Sequence, residues 1–205
     1  MAGERAGGWW EEFRTVLPQG FLDLAELEHH AEGLRAVEIT QIPGLLQTED
    51  HARALFGNAV SAPPQEQIDA RVEFRKRRQQ VLDRCPPVPF EVVLHEAALR
   101  IRVAGRGAAR AQLWALIEAS ERESVSLRVV PFEVDGFTHA DYSMLYADGP
   151  VEQLDTVHLD AVHGGVLLTE VPELEQHREL YRRVGEHALG PADSRSFIRK
   201  VAQEM

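Results

Sequence analysis

The sequence has little cysteine and no long apolar run. Cys85 is the only cysteine among 205 residues, so neither an internal disulfide nor a zinc site built from several cysteines can form. No window approaches the roughly 18 consecutive apolar residues that cross a bilayer, and residues 1–12 lack the apolar core of a signal peptide. We therefore expect a cytoplasmic protein that does not associate with membranes.

Positive charge is also scarce. The chain carries 22 lysines and arginines against 33 acidic residues, which gives a formal net charge of −11. Because nucleic acid is itself a polyanion, we expect no direct nucleic-acid binding by this chain. The local basic stretch from Arg71 to Arg84 is interpreted as a solvated helix face with its own ion pairs.

Hydrophobic periodicity predicts an α+β fold. A helical N-terminal half is followed by a small mixed or antiparallel sheet after residue 90, packed by helices, and by a helical C-terminus. Residues 1–8 lack apolar periodicity and predict a disordered leader before a single domain over residues 9–205. The segment Cys85-Pro-Pro-Val-Pro89 predicts a hinge near residues 85–89.

Individual elements follow from spacing and from breaking residues. Thr48 is predicted to cap the N-terminus of a short helix. The predicted helices cover residues 9–17, 21–37, 48–56, 65–84, 96–102, 106–120, 172–188 and 191–203. The predicted strands cover residues 90–94, 125–131, 142–146 and 154–161, and Gly164-Gly165 predicts a hairpin to residues 166–168.

Several motifs occur in the order found in one known family. They are Glu26-Leu27-Glu28 through Ala31 and Arg35, Ile42–Asp50 with Ala52-Arg53-Ala54, Arg75 and Arg78-Gln79 with Leu82, Glu96–Arg100, Gln112-Leu113, Val129–Phe132, and Ala188-Leu189 with Ser194. Together they resemble the ligand-sensor-like region, a domain of unknown function, that follows the helix-turn-helix in Xre-type transcriptional regulators of actinobacteria. Such regulators are often described as antitoxin-like. The resemblance runs from about Trp9 to the end of the chain.

The resemblance implies a regulatory domain that binds a small-molecule ligand or a small partner protein. In family members a DNA-binding helix-turn-helix precedes the Trp-Trp segment, whereas this chain opens a few residues before Trp9, so we expect a domain without its own DNA-binding head. We also expect a homodimer, formed through the apolar faces of the first two predicted helices. No cofactor is expected. No nucleotide site is predicted either, because Gly105-Arg-Gly107 lacks the glycine and lysine pattern of a phosphate-binding loop.

Histidines and an acid near the predicted hairpin suggest a metal site or an acid/base site. His158 and Asp160 are two residues apart, so on a strand both side chains leave the same face, and His163 follows near the turn. Such a group could hold a divalent metal, or Asp160 could orient an imidazole for acid/base work. Alternatively, these side chains have no chemical role and form the polar, solvent-facing side of a hairpin at the edge of the sheet. In this stretch, residues 156–163, the chain also departs from the family pattern, which leaves any inherited ligand preference open.

Further candidates lie where a strand passes into a helix. His95-Glu96 occupies such a position, although Glu96 could equally cap the helix. We predict that a binding pocket is lined by Trp114, Tyr142, His95, His158 and Arg100. As an alternative function, the domain is a biosynthetic enzyme, an acid/base cyclase or isomerase, with His158, Asp160, His95 and Glu96 around its pocket.

Overall fold

The computed structural model describes residues 7–60, 63–138, 143–161 and 164–205. These residues form a six-stranded mixed sheet with helices around it, so the predicted α+β class is confirmed. The helices are α1 (Gln19–His30), α2 (Glu49–Gly57), α3 (Gln65–Gln79), α4 (Glu96–Arg100), α5 (Gly105–Ala119), α6 (Val171–Glu186) and α7 (Pro191–Glu204). The strands are β1 (Gly33–Glu38), β2 (Phe90–His95), β3 (Val125–Val130), β4 (Met144–Asp148), β5 (Thr156–Ala161) and β6 (Gly164–Leu168).

The sheet has the order β3-β2-β1-β4-β5-β6. The strands β1, β2 and β3 are parallel and are joined by helical crossovers, as parallel pairs require. From β1 outward to β6 the neighbours are antiparallel, and Ala36 lies opposite Leu145, which lies opposite His158. The side chains of these three residues therefore leave one face of the sheet, which we call the cavity face.

The strand β1 corrects the predicted helix over residues 21–37. The helix ends at His30, and residues 33–38 form a strand in the interior of the sheet. Apolar spacing through Leu27, Ala31 and Leu34 fits a helix, but Gly33 weakens helix formation, and β1 instead hydrogen-bonds to strands on both sides. Tertiary pairing thus overrides the local pattern, and the sheet is not confined to residues after 90.

Both faces of the sheet are covered. On the cavity face, α5 and α7 pack over β2 and β3, where Leu94, Leu116 and Ile198 are completely buried. On the opposite face α6 packs through Leu174 and Val184. The N-terminal helices α1 and α3 lie over the remaining part of the cavity face, at β1, β4 and β5. The helices α1 and α3 do not pack directly on this part of the sheet, and a cavity lies between them and the strands.

Most other predicted elements are present within a few residues of their predicted ends. Thr48 caps α2 by accepting a hydrogen bond from the His51 backbone N–H at 3.4 Å. The predicted helix over residues 9–17 is a 3-10 helix over Trp9–Phe13. The hinge near residues 85–89 stays a prediction, although the Leu34 N–H donates to the Pro89 carbonyl at 2.9 Å.

The first two predicted helices bury most of their apolar side chains inside the chain. Trp10, Leu17, Leu22 and Ala25 form one cluster with Phe74 of α3. This cluster occupies much of the surface that we assigned to a dimer contact. The homodimer itself stays a prediction.

Candidate functional site

A cavity of about 710 Å³ separates the N-terminal helices from the sheet. One wall is the cavity face of β1, β4 and β5, which contributes Ala36, Leu145 and His158. The opposite wall comes from α1 and α3, and a third wall is the segment from Gln41 to Gln47. Cavities of about 300–1,000 Å³ are typical of sites for small molecules.

Three glutamine side chains hold the third wall in place. Gln47 donates to the Ile42 carbonyl at 2.7 Å, and Gln79 of α3 donates to the Gly44 and Gln47 carbonyls at 3.1 and 2.7 Å. Gln112 of α5 donates to the Leu46 carbonyl and accepts from the Thr48 N–H, both at 2.7 Å. The turn after Pro43 thus has its backbone groups satisfied by amide side chains of two helices, which fixes the shape of this wall.

A buried ion pair lies on the wall formed by α1 and α3. Arg78 Nε and a terminal nitrogen of the same guanidinium donate to the two carboxylate oxygens of Glu28 at 2.8 and 2.6 Å. The side chains are 6% and 2% exposed, respectively. Such a two-bond geometry is the strongest form of the arginine–carboxylate pair, and the partners neutralise each other.

Arg75 lies one turn earlier on α3 and also lines the cavity. Its guanidinium donates to Gln47 Oε1 and lies over the Phe56 ring at 4.9 Å from the ring centre. Burial, and then the neighbouring charge of Arg78, lower the pKa of Arg75. The lowered pKa is about 9, so the group remains a cation at neutral pH.

Two titratable groups on the cavity face are held neutral at pH 7. Burial raises the pKa of Glu38 to about 8, with a smaller contribution from Asp160, against the lowering effects of Ser143 and Arg75. Burial lowers the pKa of His158 below its ordinary value, although Asp160 opposes this change. The cavity therefore presents a protonated carboxyl group and a neutral imidazole at neutral pH.

The position of His158 depends on a glycine in the neighbouring strand. A Cβ atom at Gly165 would lie 2.1 Å from His158 Nε2, so only glycine allows the imidazole to lie there without a shift. His158 is 7% exposed, and its Nε2 lies 4.0 Å from an Asp160 carboxylate oxygen. Both side chains line the cavity, whereas a solvent-facing hairpin would expose His158.

The structure places His95, Glu96 and Arg100 away from this cavity. His95 accepts from the Ala97 N–H at 3.3 Å and so caps α4. Glu96 accepts from Arg100 and, at 2.8 Å, from the Phe132 N–H, while Arg100 also donates to Glu204 at 3.0 Å. These contacts are sufficient to account for the three side chains as fold-stabilising groups.

The remaining predicted residues do not join the site either. Trp114 is 40% exposed on α5 and is not among the residues that line the cavity. Tyr142 and His163 lie outside the described residues, so their predicted roles remain predictions. Within the described ranges, no group of three histidine, cysteine or acidic side chains is placed to hold a metal ion.

Glu28, Glu38, Arg75 and Arg78 line the cavity but were not predicted as site residues. The interpretation of the Arg71–Arg84 stretch as a solvated face is wrong for Arg78, which is buried, and for Arg75, which lines the cavity. A signal was present. The apolar stripe of α3 includes Ile68 and Val72 and continues to Leu82 in the 3-10 turn that follows. The two arginines occupy the helical positions between Val72 and Leu82, where apolar side chains are expected.

Comparison with known proteins gives a family. Residues 21–200 match the model described as Domain of unknown function (DUF5753). The chain belongs to this family. The DUF5753 match begins in α1 and ends in α7, so it includes every residue that lines the cavity except Pro18 and Gly20. No curated protein and no solved structure matches the chain significantly. Among the helices of the described residues, none is long and apolar enough to cross a bilayer.

Proposed function

We propose that this DUF5753 domain is a regulatory small-molecule-binding domain, of the kind that accompanies Xre-type helix-turn-helix regulators in actinobacteria. The cavity between the N-terminal helices and the sheet is its ligand site. The observation that carries the proposal is a cavity of about 710 Å³ with the partly buried Arg75 and the neutral carboxyl group of Glu38 on its walls. Folded domains rarely keep such costly groups inside without a use for them.

The motifs that suggested the regulator family support this proposal. Glu28, Arg75, Arg78 and all residues of the segment Ile42–Gln47 except Leu46 line the cavity. Gln79 and Gln112 bind the backbone of its third wall. These motif residues therefore converge on one place in the structure, although they are spread over three helices and a loop.

The position of the cavity also suits signal transmission. Its wall of α1 and α3 continues through Phe74 into the Trp10 cluster, next to the Trp-Trp segment before which the related regulators carry their DNA-binding head. A ligand that binds one placement of these helices more tightly than another would shift their equilibrium, and equal binding to both would shift nothing. A small partner protein could use the same coupling from the outer surface of the N-terminal helices.

Filling the cavity should abolish ligand binding. In a thermal-shift screen of small metabolites, a ligand at about 100 times its dissociation constant should raise the Tm by about 5–10 °C. The variant Leu145→Trp places a larger side chain in the cavity wall and should lose this shift. Val171→Trp, at an exposed position on α6, is the matched control and should keep it. An equal shift in Leu145→Trp, or no active compound at all, would contradict the proposal.

An acid/base enzyme is the second candidate function. Glu38 and His158 line the same cavity as a neutral acid and a neutral imidazole, which is the arrangement needed for proton transfer in both directions. Any compound that stabilises the protein should then be converted during long incubation, as followed by NMR, and His158→Gln should stop the conversion while binding persists. Recovery of the compound unchanged would leave only the binding function.

A further inference from the structure

Arg75 is a cavity-lining cation for which the described residues supply no ion-pair partner. In the described ranges its guanidinium forms no ion pair with a carboxylate, and its contacts are the neutral amide of Gln47 and the ring of Phe56. Arg78, three residues further on, has its charge neutralised by Glu28. Since an uncompensated charge inside a protein is costly, a group that neutralises Arg75 would be bound strongly there.

Glu28, Asp160 and Glu38 line the cavity and act on Arg75 through space, but in the described residues none of them forms a direct ion pair with it. Glu28 is held by Arg78, and the raised pKa of Glu38 leaves its carboxyl group protonated at pH 7. The Asp160 side chain is 86% exposed, so water screens it at the cavity mouth. Asp23 is partly exposed on α1 and accepts a hydrogen bond from Gln19, and in the described residues it forms no ion pair with Arg75.

We infer that the ligand of this cavity is a small organic monoanion, with a carboxylate bound to Arg75 and an apolar body packed against the aliphatic and aromatic walls. This inference rests on the proposed binding function. A guanidinium binds a carboxylate in its own plane through two parallel hydrogen bonds. The single negative charge of the carboxylate neutralises the single positive charge of Arg75. A dianionic phosphate would leave one charge uncompensated, and a cationic ligand would be repelled.

The rest of the lining matches such a molecule. Apolar side chains from α1, α2, β2, β4 and the third wall line the cavity, among them Phe21, Leu24, Leu45, Leu55, Phe90 and Leu145. Gln41 also lines it, and its buried side-chain oxygen has no hydrogen-bond partner in the described part of the chain. Because rotation of an amide exchanges its oxygen and nitrogen, Gln41 can either accept from a ligand hydroxyl or donate to the carboxylate.

Matched probes test the inference directly. Isothermal titration would compare carboxylates of graded size, benzoate, 3-phenylpropanoate and octanoate, with the corresponding alcohols and primary amines, using the full chain. At least one carboxylate should bind, and its alcohol and amine should bind at least about 30-fold more weakly. Arg75→Gln should weaken binding of that carboxylate by at least about 30-fold and bring it close to that of the alcohol.

Two variants serve as controls. Lys76→Gln removes one positive charge from the neighbouring position of α3, where the lysine is 51% exposed and pairs with Glu49 and Glu73, and should leave binding unchanged. Arg75→Lys keeps the charge but loses the planar fork, and should keep part of the preference for carboxylate over alcohol. It thereby tests the role of the charge even if Arg75→Gln folds poorly.

The outcomes separate the inference from the proposed function. Equal binding of carboxylate and alcohol, or a preference that Arg75→Gln retains, would overturn the inference and leave a cavity that binds small molecules. Preferential binding of the amines would overturn the charge assignment as well. If no probe of any charge binds at millimolar concentration, both the inference and the binding function are contradicted.

Discussion

Replacing Arg78 by methionine should lower the free energy of unfolding by about 3–5 kcal/mol. Arg78 and Glu28 are joined by two hydrogen bonds, and both side chains are almost completely buried. Methionine replaces the aliphatic part of the arginine but leaves the Glu28 carboxylate inside the protein without its partner. The cost is therefore the desolvation of a lone charge, which exceeds the loss of two hydrogen bonds. Urea unfolding at pH 7 would measure it.

The double variant Glu28→Met/Arg78→Met separates the lost pair from a loss of packing. Because it leaves no charge behind, it should recover most of the stability that the single variant loses. Lys76→Gln, on the exposed side of the same helix, should change the free energy of unfolding by less than about 0.5 kcal/mol. A loss below about 1 kcal/mol in Arg78→Met, or a double variant as unstable as the single one, would contradict a buried ion pair.

The elements that the sequence predicts well are those with local signals. The helix after Thr48 has its cap and its acidic first turn in the sequence, and the structure has both. The strand β5 has an alternating pattern, which gives its register and places His158 and Asp160 on one face. Each of these features involves residues a few positions apart, so one segment contains all the information needed.

The strand β1 could not be predicted in the same way. Both of its faces are buried, so Leu34 and Ala36 on one side and Val37 on the other give no clean alternation. Its identity depends on partners at residues 90–94 and 144–148, which are far away along the chain. The predicted helix over residues 21–37 leaves no strand here. Glu38 could therefore not be assigned to the cavity face from the sequence.

The charged wall of the cavity was missed for a related reason. Arg75 and Arg78 resemble surface residues by composition, since they lie in a helix with many charges. Their inward direction follows from the apolar positions before and after them, and the partner that explains Arg78 is Glu28, fifty residues earlier. A buried pair formed across two helices leaves only this periodicity signal in either segment alone.

The free energy of unfolding of the wild-type protein should fall as the pH rises, and replacing Glu38 by glutamine should abolish this fall. Burial raises the pKa of Glu38 from 4.5 to about 8, so between these values the folded protein keeps a proton that the unfolded chain releases. The folded state binds more protons, and stability therefore falls with increasing pH across this window. Each unit of pKa difference corresponds to about 1.4 kcal/mol, so the full loss reaches about 4–5 kcal/mol by pH 9.

Glutamine has nearly the same shape but does not ionise. We therefore expect Glu38→Gln to match the wild type at pH 5 and to be more stable by up to about 4–5 kcal/mol at pH 9, as measured by urea unfolding without ligand. The lowered pKa values of His51 and His158 act in the opposite sense, since they reduce stability as the pH falls, and they are unchanged in the comparison.

The exposed neighbour Glu32 provides the matched control. Glu32→Gln removes an acid next to β1 that faces solvent, so its difference from the wild type should stay constant between pH 5 and pH 9. The groups that influence Glu38 are Ser143, Asp160 and Arg75, and none of them changes in either variant. If Glu38→Gln shows no gain above pH 8, Glu38 is already ionised and paired with Arg75. The cavity would then hold its own counter-ion, and its need for an anionic ligand would disappear.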